Sequence, residues 1–194
     1  MYEIPTSIKI GEKYYNIRNN GDYRMILDCF AALENIELTE QERLLVSLII
    51  FYEDLSGIND LCIFEDVTEA VRGMYWFFNC GSDSTQNNHT NYKLVDWEQD
   101  SQLIAAAVNN VAKKEIRAEE YIHWWTFMGY YASIGECPLS TIIGIRDKII
   151  RGKKLEKYER EFRMNNPQYF VWNSKTIAES EADRLAKELW NNAK

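Results

Sequence analysis

The spacing of apolar side chains changes from two to three-or-four near residue 20, and that change sets the reading of the whole chain. Residues 4–18 alternate: Ile8, Ile10, Tyr14, Tyr15 and Ile17 flank the short turn Gly11-Glu12-Lys13, the pattern of a small β-hairpin. From Asp22, a good helix N-cap, Met25, Ile26, Cys29, Phe30 and Leu33 fall on one helical stripe. Thr39-Glu40-Gln41-Glu42 has the form of a capping box, in which hydroxyl and carboxylate satisfy each other's orphan backbone N–H groups. The helix it opens carries Leu44, Leu45, Leu48, Ile49, Tyr52 and Leu55 up to Gly57. A third helix is predicted from Asp60 to Asn79 through Phe64, Val67, Val71, Met74, Tyr75 and Phe78.

The pattern then breaks. Residues 79–91 contain almost nothing that could anchor to a core and read as a solvated hinge loop. Asp96-Trp97-Glu98-Gln99-Asp100 follows, an acidic helix start that continues through Leu103, Ile104, Ala107, Val108 and Val111. Residues Tyr121–Tyr131 are apolar on nearly every side, so they predict a central buried helix or the floor of a groove. Pro138 opens a further helix with Leu139, Ile142, Ile143, Ile145 and Ile149, residues 153–165 form a charged one, and 176–190 a last amphipathic one. The expected fold is all-α: a bundle of about seven or eight helices with an N-terminal β-hairpin. Its expected organisation is a hairpin over residues 1–20, a helical core over 21–166 with the loop 79–91, and a C-terminal helical extension over 167–194.

Charge narrows the function classes. The formal net charge is -8, and residues 1–100 hold 7 basic against 18 acidic side chains. Such a chain repels phosphate backbones, which argues against nucleic acid as a partner. Residues 146–163 form a basic stretch, but Lys157/Glu161 and Glu156/Arg160 stand at pairing distance along a helix, and a solvated face accounts for it. Cys29, Cys62, Cys80 and Cys137 have neither disulfide-framework nor zinc-ligand spacing and fit a reducing cytosol. The residues after Met1 have no basic start and no apolar core, so no signal peptide is expected, and the apolar runs 44–52 and 121–134 fall short of the ~20 residues a membrane span requires. Neither a membrane nor a cofactor is expected.

Catalytic chemistry has two footholds. Asp96 and Asp100, four residues apart, could hold a divalent metal or act as an acid/base pair, and with His123 they would suit a metal-dependent hydrolase. Alternatively the carboxylates stabilise a helix dipole, and His123, beside Trp124 and Trp125, is a satisfied core side chain. Phosphate-binding glycine loops and nucleophile elbows are absent from the sequence, so the chain is expected not to be an enzyme. Its aromatic load, 13% of residues, is the more informative feature: a core absorbs much of it, but aromatics near helix ends are also typical anchors of protein interfaces.

The acidic-aromatic helix start Asp96–Asp100, then Ile104-Ala105-Ala106, Ile116-Arg117, Tyr121-Ile122-His123-Trp124-Trp125-Thr126-Phe127 and Ile143–Arg146 together resemble a family of small tail-assembly proteins. These belong to tailed phages and prophages of Gram-positive bacteria and are encoded between the major tail protein and the tape-measure protein. The resemblance covers residues 20–163 and departs in two places. Val108–Ala118 is richer in Asn and Lys than the pattern, and the tail from Pro167 has no counterpart. It implies a tail-assembly chaperone with the tape-measure protein as partner, the tail tube protein as a second, and self-association along the client. The chaperone would act in the host bacterial cytoplasm and be absent from the mature virion; the competing non-enzymatic reading is a structural tail component retained there. Trp97, His123, Trp124 and Trp125, where the resemblance is densest, are the candidate partner-binding residues, with the core as their alternative role.

Overall fold

A computed structural model describes residues 3–82 and 93–171. It is mainly helical with one small N-terminal sheet, as the periodicity predicts. The chain divides into two compact units, Met1–Asn88 with Val108–Ser133 and His89–Ala107 with Ile134–Lys194.

The first unit opens with the antiparallel hairpin β1 (Ser7–Ile10) and β2 (Lys13–Asn16), closed by Gly11 and Glu12. Gly11 sits at φ +58°, which a residue without Cβ reaches at no cost. Alternation holds: Ile8, Ile10, Tyr15 and Ile17 are buried, while Lys9, Tyr14 and Asn16 face out. Helix α1 (Tyr23–Leu33) is capped by the Asp22 carboxylate, which accepts from the Arg24 N–H, and it buries Met25, Ile26, Cys29 and Ala32. Helix α2 (Glu40–Phe51) starts at the Thr39/Glu42 capping box. It ends earlier than the apolar pattern suggests. The Arg18 guanidinium donates to the Ile49 and Ile50 carbonyls of the last turn and to those of Tyr52 and Leu55 beyond it, so these acceptors are satisfied without further helix. Tyr52 and Leu55 are buried beyond that end, and Leu44, Leu45 and Ile49 only half-buried.

The third helix also differs from its prediction. Asp60 accepts from the N–H groups of Ser56 and Gly57 and tightens residues 58–63 into a 3-10 turn. Helix α3 (Val67–Phe78) begins only at the Asp66 cap, and it packs on β1 and α2. Tyr52 joins these elements: its hydroxyl donates to the Ala70 carbonyl and its ring meets Tyr15, Phe51 and Phe64. The division between the units falls inside helix α4 (Ser101–Ala112). Helix α5 (Trp124–Ala132) packs on α1. It is shorter than the apolar run that predicts it and is not buried on all sides: Trp124 and Phe127 are buried, whereas Trp125, Met128, Tyr130 and Tyr131 are half-buried and Gly129 exposed.

In the second unit, residues 97–100 form a turn that leads into α4. Helix α6 (Pro138–Ile150) starts with Pro138 just inside its Cys137 cap and buries Leu139, Ile142, Ile145 and Arg146. It closes on Gly152 at φ +64°, with Lys153 N–H reaching the Lys148 carbonyl. Helix α7 (Lys157–Asn165) follows. The basic stretch is therefore not one solvated face. Arg146 is buried, Lys148 binds Glu159, Arg151 binds Asp147, and Arg160 donates to the Leu155 carbonyl instead of pairing with Glu156; of the two pairs the spacing predicts, Lys157–Glu161 forms, exposed and at 3.9 Å. The helix predicted over 176–190 and most of the 79–91 loop lie outside the described residues.

Candidate functional site

The segment His123-Trp124-Trp125 forms the start of α5. His123 is the N-cap: its Nδ1 accepts from the Trp125 N–H at 3.1 Å, and its Nε2 lies 3.1 Å from the Pro5 carbonyl. Those two partners require a neutral ring protonated on Nε2. Burial pushes the imidazole below its ordinary value, and the Pro5 carbonyl opposes this only in part. The two indoles that follow reach one helix end. Trp124 Nε1 donates to the Phe78 carbonyl at 3.0 Å and Trp125 Nε1 to the Phe77 carbonyl at 2.9 Å, so α5 supplies donors to the last carbonyls of α3. Trp124 is 1% exposed and stacks on Phe127, with the Phe30 ring tilted against it at 5.7 Å. Trp125 is half-buried, with Trp76 edge-on at 5.4 Å.

Of the four candidate residues, His123 and Trp124 are interior side chains whose ring nitrogens are engaged within the first unit. Trp125 and Trp97 are half-buried and present area to solvent. Trp97 stands in the second unit, at the turn before α4.

The two aspartates also stand in the second unit, each with its own partners. Asp96 Oδ1 accepts from the N–H groups of Glu98 and Gln99, and Oδ2 from Lys93 Nζ at 3.1 Å. Burial works to raise its carboxyl, but the Gln99 N–H, with Lys93 and the Glu98 N–H, outweighs burial and holds it below the usual carboxylate range. Asp100 accepts from the Asp96 N–H and from both terminal nitrogens of Arg146, at 2.6 and 3.0 Å. Among the described residues, no group of three or more His, Cys, Asp or Glu side chains is arranged to hold a metal ion. Asp96 caps the turn that precedes α4 through the Glu98 and Gln99 N–H groups, whereas Asp100 is tied mainly to Arg146; neither lies in the first turn of α4 itself, which holds no acidic side chain.

The roles of two arginines escape sequence reasoning. Arg18 caps α2 and Arg146 ties Asp100 to the carbonyls of Leu94 and Tyr169. The available signal is a single arginine placed on an apolar stripe, Ile142-Ile145-Arg146-Ile149. An open cavity of about 820 Å³ in the first unit is bordered by Arg18 and Arg24, but both guanidiniums already bind backbone carbonyls, and Arg24 also binds Asp22.

No helix among the described residues is long and apolar enough to cross a membrane. Comparison with curated proteins and with solved structures finds no match. A family profile described as Bacteriophage Gp15 protein matches residues 1–170, from the hairpin to the 3-10 turn Pro167–Tyr169. That range exceeds the 20–163 of the motif resemblance and leaves 171–194 outside. The chain thus belongs to the Bacteriophage Gp15 protein family.

Proposed function

We propose that this protein is a non-catalytic tail-assembly chaperone that binds the tape-measure protein and keeps it soluble until the tail tube closes around it. The observation that carries the reading is membership of a phage family over nearly the whole described chain, joined to the His-Trp-Trp and Asp-Trp-Glu-Gln-Asp motifs that resemble tail-assembly proteins. A tape-measure protein is a very long helical chain whose apolar stripes would self-associate if left open. A protein that covers them needs apolar contact area on a charged, soluble body. Tyr158, Met164 and Val171 of the second unit are 62, 79 and 64% exposed, within a short stretch of chain, and the net charge of -8 keeps copies apart in solution. Many copies along one client convert modest single-site affinity into stable coating and still allow displacement by tube subunits. The tail tube protein is the second expected partner, and the host cytoplasm the place of action.

Co-expression with a tape-measure protein, followed by size-exclusion chromatography with mass determination, tests the reading. A soluble complex with several copies of this chain, where the client alone precipitates, supports it. A client that stays insoluble while this chain elutes alone ends it. Mass spectrometry of purified particles addresses the structural alternative, since a chaperone is absent from them and a tail component is present.

A further inference from the structure

The hairpin of the first unit leaves one strand edge open, and its register fixes which backbone groups face that edge. Ile17 N–H donates to the Thr6 carbonyl at 2.8 Å, and Ile10 faces Lys13 across the two-residue turn. Thr6/Ile17, Ile8/Tyr15 and Ile10/Lys13 are therefore the hydrogen-bonded pairs. Ser7 and Lys9, opposite Asn16 and Tyr14, alternate with them, so their N–H and C=O groups point away from β2. Among the described residues these backbone groups have no partner.

This edge borders a groove of about 480 Å³ whose other wall is α3. β1 runs antiparallel to α3: Gly11 N–H donates to Glu69 near the helix start, and Ile8 lies against Gly73 farther along. Arg72 and Trp76 line the wall. Arg72 is exposed and makes no hydrogen bond or ion pair among the described residues, while Glu69 is engaged by Gly11. Trp76 is half-buried, with its ring edge on Trp125. Lys9, held only loosely by Glu12 at 3.8 Å, adds a second cation on the strand side.

We propose that this edge is a strand-addition site for an extended partner segment that reads acidic, any residue, apolar from N to C. A strand added antiparallel to β1 advances in the direction of α3. Its inward side chains, two residues apart, are spaced by ~6.7 Å. Arg72 and Trp76, four residues apart on the helix, are spaced by ~6 Å along its axis. The acidic side chain opposite Ile10 meets Arg72, and the apolar one opposite Ile8 meets Trp76. The residues between and after them bond to the open backbone groups of Lys9 and Ser7. The site stands independently of the tape-measure reading, since its occupant is defined by backbone extension and charge.

The test uses the full chain and the peptide acetyl-Thr-Glu-Thr-Leu-Thr-amide, with binding followed by amide NMR and hydrogen exchange. The expected result is slowed exchange at Ser7 and Lys9 and affinity about fivefold better than for the Thr-Lys-Thr-Leu-Thr counterpart at low salt. N-methylation of the third and fifth peptide residues removes binding without altering the side chains. Arg72→Glu, at an exposed position, inverts the charge preference. The proposal is overturned if millimolar peptide leaves Ser7 and Lys9 exchange unchanged, or if the N-methylated peptide binds equally well.

Discussion

Arg146 and Asp100 form a two-pronged ion pair closed to solvent, with Nη1–Oδ2 at 2.6 Å, Nη2–Oδ1 at 3.0 Å and side chains 3 and 0% exposed. The same guanidinium donates to the carbonyls of Leu94 and Tyr169. One side chain thus connects α6 to the segment before α4 and to the turn after α7. The planar fork suits this arrangement, and a lysine ammonium cannot reproduce it.

Removing one partner leaves a buried charge uncompensated. Asp100→Ala is expected to cost about 3–5 kcal/mol. Arg146→Lys is also expected to destabilise strongly, because it withdraws donors from carbonyls as well as from the carboxylate. The double replacement Asp100→Leu/Arg146→Met recovers only part of the loss, since the Leu94 and Tyr169 carbonyls still lack donors. Urea unfolding of the three variants checks this; full recovery in the double variant would show that the carbonyl contacts contribute nothing.

His123 supplies a pH dependence with a definite sign. In the folded chain burial depresses its pKa, while in the unfolded chain it titrates near its ordinary 6.5. As pH falls below about 6.5 the unfolded state binds a proton that the folded state refuses, so stability declines with acidification. Protonation would also place a hydrogen on Nδ1, which now accepts from the Trp125 N–H. His123→Asn keeps a capping acceptor and removes the titration. Urea midpoints at pH 7.5 and 5.5 are expected to separate more for the parent than for this variant, and parallel shifts would exclude His123 as the source.

The helices and the hairpin were legible because their signals are local. Asp22, the Thr39/Glu42 box and the alternation of Ile8, Ile10, Tyr15 and Ile17 each act within a few residues. What was not legible depends on partners far along the chain. Asp60 is the local exception, a choice between two carboxylate caps that diverts the start of α3 into a tight turn, but Arg18 ends α2 from more than thirty residues away. At the candidate site, the capping role of the His-Trp-Trp run was hidden for the same reason. Aromatic composition announces contact area, but not that two indole N–H groups are directed to the end of α3.

Those indoles separate structural from partner-binding roles. Trp124→Phe keeps a large ring but leaves the Phe78 carbonyl without its donor in a buried place, a loss of about 1–3 kcal/mol. Trp125→Phe makes the same deletion where water can compensate, and is expected to cost less. Chemical denaturation orders the two variants, and equal losses would contradict the difference in burial. Because Trp125→Phe is expected to stay folded, it is the variant to carry into client co-expression.

The contact between Gly73 and Ile8 holds the hairpin on α3 at a distance that leaves no room for a side chain. A Cβ built at Gly73 falls 2.4 Å from Ile8 Cγ2 and 3.3 Å from the Tyr52 hydroxyl. Inside a helix, Gly→Ala ordinarily stabilises by about 0.5–1 kcal/mol. Here the clash reverses that sign, and Gly73→Ala is expected to destabilise by about 1–3 kcal/mol. Ile8→Ala removes the opposing methyl and, because it empties a packed apolar site, costs about 2–4 kcal/mol. Combined, the new methyl occupies part of the space vacated by Ile8, so the double variant should be more stable than the two single losses predict by about 1 kcal/mol or more. A thermodynamic cycle from urea unfolding measures the coupling. Strict additivity would mean that β1 lifts away from α3 in the Gly73→Ala protein, and the open groove beside Arg72 and Trp76 would change shape with it.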